Sequence, residues 1–291
     1  MDSRALVLLR GGGDLASGVA LRLQRSGIKV VIIELAEPLA VRRTVSFAET
    51  VYEGRHTVEG VAACLVTPEQ LPAALEADEI PVLVDPDADI LLSSLRHSSG
   101  QAFLFPVVID ARLIKQPPAP LPISVPLHIG LGPGFHAGVN CHAAIETRRS
   151  HTLGRVYWNG STQPDSGQPE GDPRRVLRAP IDGIFIGHKQ IGEHCEPGEL
   201  IAEVESPIGN HKSQIVNPIA GVLRGLIRDG VQVTKGLKIG DIDPRDDRSA
   251  CFLVSDKGLA IGGAVLEAIL TREEIRGIFF TTKDTKGHEG F

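Results

Sequence analysis

The first 34 residues constrain the fold more than any other stretch of this 291-residue chain. Residues 5–9, "ALVLL", are a fully apolar run that ends at three glycines. Residues 16–26, "ASGVALRLQRS", place Ala16, Val19, Ala20 and Leu23 on one helical face, and Gly27 stops the helix. Residues 29–34, "KVVIIE", read as a second buried strand. Strand, glycine turn, helix and strand make one βαβ unit. Strands apolar on both faces belong to a parallel sheet covered on each side.

The turn carries its own chemistry. Gly11, Gly13 and Ala16 stand as G-x-G-x-x-A between strand and helix, with Gly12 and Asp14 inside the turn. Such a turn lets a pyrophosphate approach the backbone, and the helix N-terminus supplies free N–H groups and a partial positive charge. Glu34 closes the second strand, 23 positions after Gly11, where an acid bonds an adenosine ribose. Arg42 and Arg43 follow closely and offer a phosphate contact, whereas Asp14 would repel one unless it points away. A second glycine-rich loop, 130–138 "GLGPGFHAG", offers an anion nest around Gly132 and Gly134.

The alternation continues beyond the unit. Residues 67–75 read as a short helix, and 81–85 "PVLVD" and 106–110 "PVVID" as strands that each end in an acid. The proline-rich run 116–126 fits neither a helix nor a central strand. His136, Cys141, His142 and His151 match no standard metal spacing, so no metal is expected. No Ser-His-Asp order stands out, and the catalytic residues are unknown at this level.

In the second half the chain repeats itself at an offset of 38. Residues 179–205 match 217–243 without a gap, pairing Gly183 with Gly221, Gly187 with Gly225, Gly192 with Gly230 and Gly198 with Gly236. Glycines at such spacings mark tight turns between short strands. The pattern resembles the two halves of a biotinyl/lipoyl-like barrel-sandwich hybrid. In that family an attachment lysine sits on the hairpin between the halves. Here the hairpin 205–215 contains Lys212 without the flanking carrier motif, so neither biotin nor lipoate is expected.

The expected fold class is therefore α/β: a Rossmann-like parallel sheet domain (1–123), a glycine-rich connecting segment (124–175), the two-repeat barrel-sandwich hybrid (176–250), and a C-terminal strand, helix and tail (251–291). Net charge is −6, with Lys and Arg scattered and aromatics at 4%, which argues against nucleic acid as a partner. No run approaches the ~18 apolar residues of a membrane helix. The start "MDSRALVLLRGGG" lacks the order of a signal peptide, and the four cysteines form no CxxC. A cytoplasmic location is expected.

As a whole the chain resembles the YqeB-type family of accessory proteins of the selenium-dependent molybdenum hydroxylase system. The likeness rests on "RGGGDLASGVALRL", "EPLAVRRTVSFAETVYEG", "PVLVDP", "IGLGPGFHAG", "HTLGRVYWNGS", "VLRAPIDGIF", "GVLRGLIRDGVQVTKGLKIGDIDPR" and "SDKGLAIGGAVLEAIL". One departure is visible after "WNGS", where the family's Asn-Thr-Gly-x-Pro-Gly run is replaced by "PDSGQPEG". The resemblance implies maturation of a hydroxylase of the xanthine dehydrogenase kind, with the molybdenum cofactor or a dinucleotide held at the Gly11 turn. It implies an apo-hydroxylase or another maturation protein as partner, and leaves a homo-oligomer open. The alternatives are an NAD(P)-dependent oxidoreductase using Glu34 on the ribose, and a carrier modified on Lys212.

Overall fold

The computed structural model describes residues 5–93, 104–167, 171–207, 209 and 211–280. The βαβ unit forms as the sequence predicts. β1 (Ala5–Arg10), α1 (Asp14–Arg25) and β2 (Val30–Glu34) follow one another, and β1 pairs in parallel with β2, Val7 opposite Val30. Both strands are buried along nearly their whole length, as apolar runs covered on two faces must be.

The sheet then extends both ways. On one side, after α2 (Thr50–Glu53), β3 (Arg55–Val58) and β4 (Val61–Leu65) make an antiparallel hairpin. α3 (Leu71–Glu76) leads into β5 (Ile80–Val84), which lies between β4 and β2. After α4 (Ile90–Ser93), β6 (Leu104–Asp110) crosses to the other side of β1, and β7 (Leu127–Leu131) lies beside it. β8 (His136–Ala137) leaves the sheet, β9 (Ala143–Ile145) and β10 (Val156–Tyr157) complete it, and β11 (Gly160–Ser161) pairs with β8.

The result is nine strands in the order β10-β9-β7-β6-β1-β2-β5-β4-β3. The expected parallel Rossmann-like sheet is corrected by this arrangement. The β3–β4 and β9–β10 pairs are antiparallel, so the sheet is mixed. β3 and β4 are joined by only two residues, and a turn that short can only return antiparallel.

The repeat region also needs correction. Its strands are β12 (Val176–Arg178), β13 (Gly183–Gly187), β14 (His194–Cys195), β15 (Leu200–Glu205), β16 (Lys212–Val216), β17 (Gly221–Leu226), β18 (Gln232–Val233) and β19 (Lys238–Asp243). They form two separate antiparallel sheets, β12-β19-β17-β14 and β16-β15-β13-β18. This is not a biotinyl/lipoyl-like barrel-sandwich hybrid. The 38-residue repeat is expressed instead as an exchange of two-residue strands: β14 of the first unit joins the second unit's strands, and β18 the first unit's. Between the sheets lie Phe185, Ile201, Leu223 and Ile239, all fully buried.

α5 (Asp256–Thr271) and α6 (Glu273–Phe279) end the described chain. α5 lies against α1, and this contact positions the site. A Cβ on Gly18 would come within 2.6 Å of the Gly258 carbonyl, and one on Gly262 within 2.6 Å of the Gly18 carbonyl. Only glycines allow so close an approach. Because Asp14, Gly18 and Arg22 meet Gly258 and Gly262 in the same order, the helices run parallel and their N-termini open side by side. Among the described residues, no helix is long and apolar enough to cross a membrane.

Candidate functional site

The glycine turn is locally as its sequence requires, and Gly11, Gly13 and Glu34 line a cavity of about 290 Å³ beside it. Gly11 has φ +95, a conformation side-chain-bearing residues avoid, and Gly12 has no room for a Cβ beside Ala48, 2.8 Å away. The Gly12 N–H donates to Glu34 Oε2 at 2.6 Å, the Gly11 N–H donates to the Ile33 carbonyl, and the Ala48 N–H donates to the Gly12 carbonyl. The Leu35 N–H also donates to Glu34, at 2.8 Å. The carboxylate expected on a ribose is held by two of the chain's own amides.

The other expected residues fall into two sets. Gly13, Asp14 and Arg42 reach cavities, as described below, and Ala16 is buried beneath them. Arg43 is structural, donating from Nε to the Leu226 carbonyl at 3.1 Å and lying 3.6 Å from Glu49. Gly132 takes φ +101, and its N–H faces the Ile145 carbonyl. Gly134 donates to Ile114, and a Cβ there would meet Gln116 at 2.5 Å. That loop packs and exposes no nest at those two amides. Of the two strand-end acids, Asp85 caps α4 through the Asp89 and Ile90 N–H groups, and Asp110 grips Arg112 with both oxygens. His142 Nδ1 accepts from the His128 N–H. Among the described residues, no group of three or more His, Cys, Asp or Glu side chains is placed to hold a metal ion. Lys212 begins β16 and lies 3.6 Å from Glu205 and 4.0 Å from Glu203.

A cavity of about 690 Å³ opens where the α1 and α5 N-termini face the β12-β19-β17-β14 sheet. Asp14 and Leu15 reach it from α1, Ser255, Asp256 and Lys257 from α5, and Arg224 and Lys238 from β17 and β19. A neighbouring cavity of about 330 Å³ shares Asp14, Arg42, Arg224 and Lys238 and extends to Gly13. In a chain of net charge −6, the larger cavity is lined by eight basic side chains and six carboxylates.

The two helix ends differ. α5 is capped by Ser255, whose hydroxyl accepts from the Gly258 N–H. α1 has Gly13 at its N-cap, no side chain caps it, and a Cβ at Gly13 would touch nothing. The dipole end of α1 is therefore open.

Arg42 sits beside it. The side chain is 8% exposed and donates from one terminal nitrogen to the Ala250 and Leu253 carbonyls. The other terminal nitrogen is 3.5 Å from Asp14, and Nε has no partner. Burial pushes the guanidinium pKa down, against the pull of Asp14. A buried, unmet donor on a cation is costly unless an acceptor arrives.

Below Arg42 lies a charge cluster. Asp241 is fully buried and receives Arg175 through both oxygens at 3.0 and 3.1 Å, and Arg224 Nε at 2.8 Å. Asp243, held by Arg245, has its pKa pulled down to about 2. Sequence reasoning missed Arg175, Arg224, Lys238, Asp241 and Asp243. The available signal was the pair of acids at alternate positions in "KIGDID", which puts both on one face of a strand otherwise apolar.

Comparison with known proteins completes the picture. No family model matches the chain. Over 270 residues it is 45% identical to the uncharacterized protein YqeB of Escherichia coli strain K12, an alignment covering 91% of this chain and 47% of that protein.

The chain belongs to the YqeB-type family.

It spans about half the length of that curated relative. Solved structures with some likeness include the ectoine utilization protein EutE (DoeB) of Ruegeria pomeroyi, 14% identical with a TM-score of 0.24, covering 77% of this chain and 61% of that one. They also include an aspartoacylase family protein of Mesorhizobium loti, 12% identical with a TM-score of 0.27, covering 82% of this chain and 84% of that one. TM-scores this low do not establish a common fold. The expected role in molybdenum-hydroxylase maturation is corrected. Nothing in these comparisons supports it: the YqeB-type relative's description states no activity. The oxidoreductase and carrier alternatives find no support: Glu34 is hydrogen-bonded to the Gly12 and Leu35 amides, and Lys212, paired opposite Glu205 where β15 meets β16, lies near Glu203 and Glu205.

Proposed function

We propose that this chain binds a small, multiply charged oxyanion, a phosphate or a polycarboxylate, in the cavity between the α1 and α5 N-termini. The observation that carries the reading is Arg42. It is a buried guanidinium with an unpartnered Nε, beside a helix end with no cap of its own. Arg224 adds positive charge from the facing sheet. An anion entering there meets the charge of Arg42 and the helix dipole, the latter a contact worth up to about 2 kcal/mol when partly buried.

Calorimetry with inorganic phosphate and with pyrophosphate tests the reading. Binding to the wild-type chain, tighter for pyrophosphate, is expected. Gly13→Asp places a carboxylate over the open helix end without steric conflict. It should leave the melting temperature equal or raised while weakening binding about tenfold or more. Absence of binding to the wild-type chain, or unchanged affinity in Gly13→Asp, overturns the proposal.

A further inference from the structure

The oxyanion cavity also contains an amine that the binding reading does not use. Lys238 begins β19, the strand that β12 and β17 enclose, and lies opposite Arg178 of β12. Its nearest carboxylate is Asp241, at 3.8 Å. That carboxylate is already engaged by Arg175 and Arg224 at hydrogen-bond distance. Unlike Arg175 and Arg224, Lys238 makes no hydrogen bond to Asp241, and it lines both cavities. Of its side-chain surface, 42% is open.

Its surroundings favour the neutral amine. Burial of the ammonium lowers its pKa first, and Arg175 and Arg224 lower it further, against the opposing pull of Asp241 and Asp14. A lysine made partly neutral by desolvation and by a neighbouring cation is a nucleophile toward carbonyl carbon.

We propose that Lys238 forms an imine with an aldehyde or ketone that carries an oxyanion group, the oxyanion being held at Arg42 and the open end of α1. The proposal rests on the oxyanion reading of the same cavity. In the step, the Nζ lone pair bonds to the carbonyl carbon. The carbonyl oxygen leaves as water with the two amine hydrogens, and a C=N double bond remains. No oxidant, metal or co-reactant is required.

The test uses the full chain with dihydroxyacetone phosphate and sodium cyanoborohydride, which reduces the imine to a stable secondary amine, followed by peptide mass mapping. The expected result is one adduct on Lys238, forming ahead of any on exposed Lys115 or on Lys257 in the same cavity. Inorganic phosphate should suppress the Lys238 adduct and leave the others unchanged. Lys238→Arg and Lys238→Met should lose it while still binding phosphate in calorimetry. Labelling in proportion to exposure, or no adduct on Lys238 while phosphate binds, overturns the imine proposal alone. Failure of the wild-type chain to bind phosphate overturns the oxyanion reading and the imine proposal with it.

Discussion

The backbone amide of Gly12 donates to the Glu34 carboxylate at 2.6 Å, so the first helix's approach loop is tied to the strand that follows it. Glu34 also takes the Leu35 N–H, and one side chain therefore satisfies two amides near the sheet edge. Glu34→Ala leaves both without that acceptor and should cost about 1–3 kcal/mol. Glu34→Gln keeps an acceptor oxygen and should cost less. Urea denaturation of the two variants decides this, and equal midpoints for Ala and wild type would contradict it.

Asp241 anchors the charge cluster under the cavity. It is fully buried between Arg175 and Arg224. Asp241→Asn leaves those cations without their counter-charge and should destabilise by about 3–5 kcal/mol, the usual cost of breaking a buried pair. The Arg149–Asp256 pair has equally good geometry, at 2.6 and 2.5 Å, but side-chain exposures of 43% and 72%. Asp256→Asn should cost under about 1 kcal/mol. Denaturation midpoints of the two variants side by side check the contrast.

The α1–α5 contact makes opposite predictions for two glycines. Gly18→Ala drives a methyl into the Gly258 carbonyl and should cost about 1–3 kcal/mol. Gly263 lies on the exposed face of the same helix α5, with nothing near a Cβ. Gly263→Ala should stabilise by about 0.5–1 kcal/mol. Thermal unfolding of both variants is sufficient, and a destabilised Gly263→Ala would count against the packing.

His128 is the internal pH reporter. It is buried, and its pKa is pushed down to about 4, by desolvation first. Between its ordinary value of 6.5 and about 4 the unfolded chain holds a proton that the folded chain does not. Stability should therefore fall as pH falls through that window, by about 3 kcal/mol in total, and flatten below it. His128→Leu should remove the slope. Asp243 titrates in a lower window. Its pKa is pulled down to about 2 by Arg245, so the stability it contributes is lost only below its ordinary value of 3.8. Denaturation curves at half-unit pH steps, with the His128 ring followed by NMR, separate the two.

Much of the N-terminal architecture was readable in local pattern. The expected strands at 5–9, 29–34, 81–85 and 106–110 lie within two residues of β1, β2, β5 and β6. The repeat's glycine pairs share their backbone conformations: Gly192 and Gly230 have φ +95 and +81, and Gly198 and Gly236 have +88 and +85. Of the expected site residues, Gly11, Gly13, Asp14, Glu34 and Arg42 line cavities, while Arg43, Gly132 and Gly134 serve the fold.

Runs of apolar residues and glycine spacing specify strands, turns and a helix, because those depend on neighbours a few positions apart. They do not specify which sheet a two-residue strand joins or what fills a helix terminus. Arg42 bonds to carbonyls 208 and 211 positions away, and α1 meets α5 through Gly18 and Gly258. The open helix end, the unpartnered Arg42 Nε and the loosely held Lys238 exist only because those distant segments pack together. Contacts of that range leave no periodicity in the chain, since each is set by the shape and charge of surfaces formed only on folding.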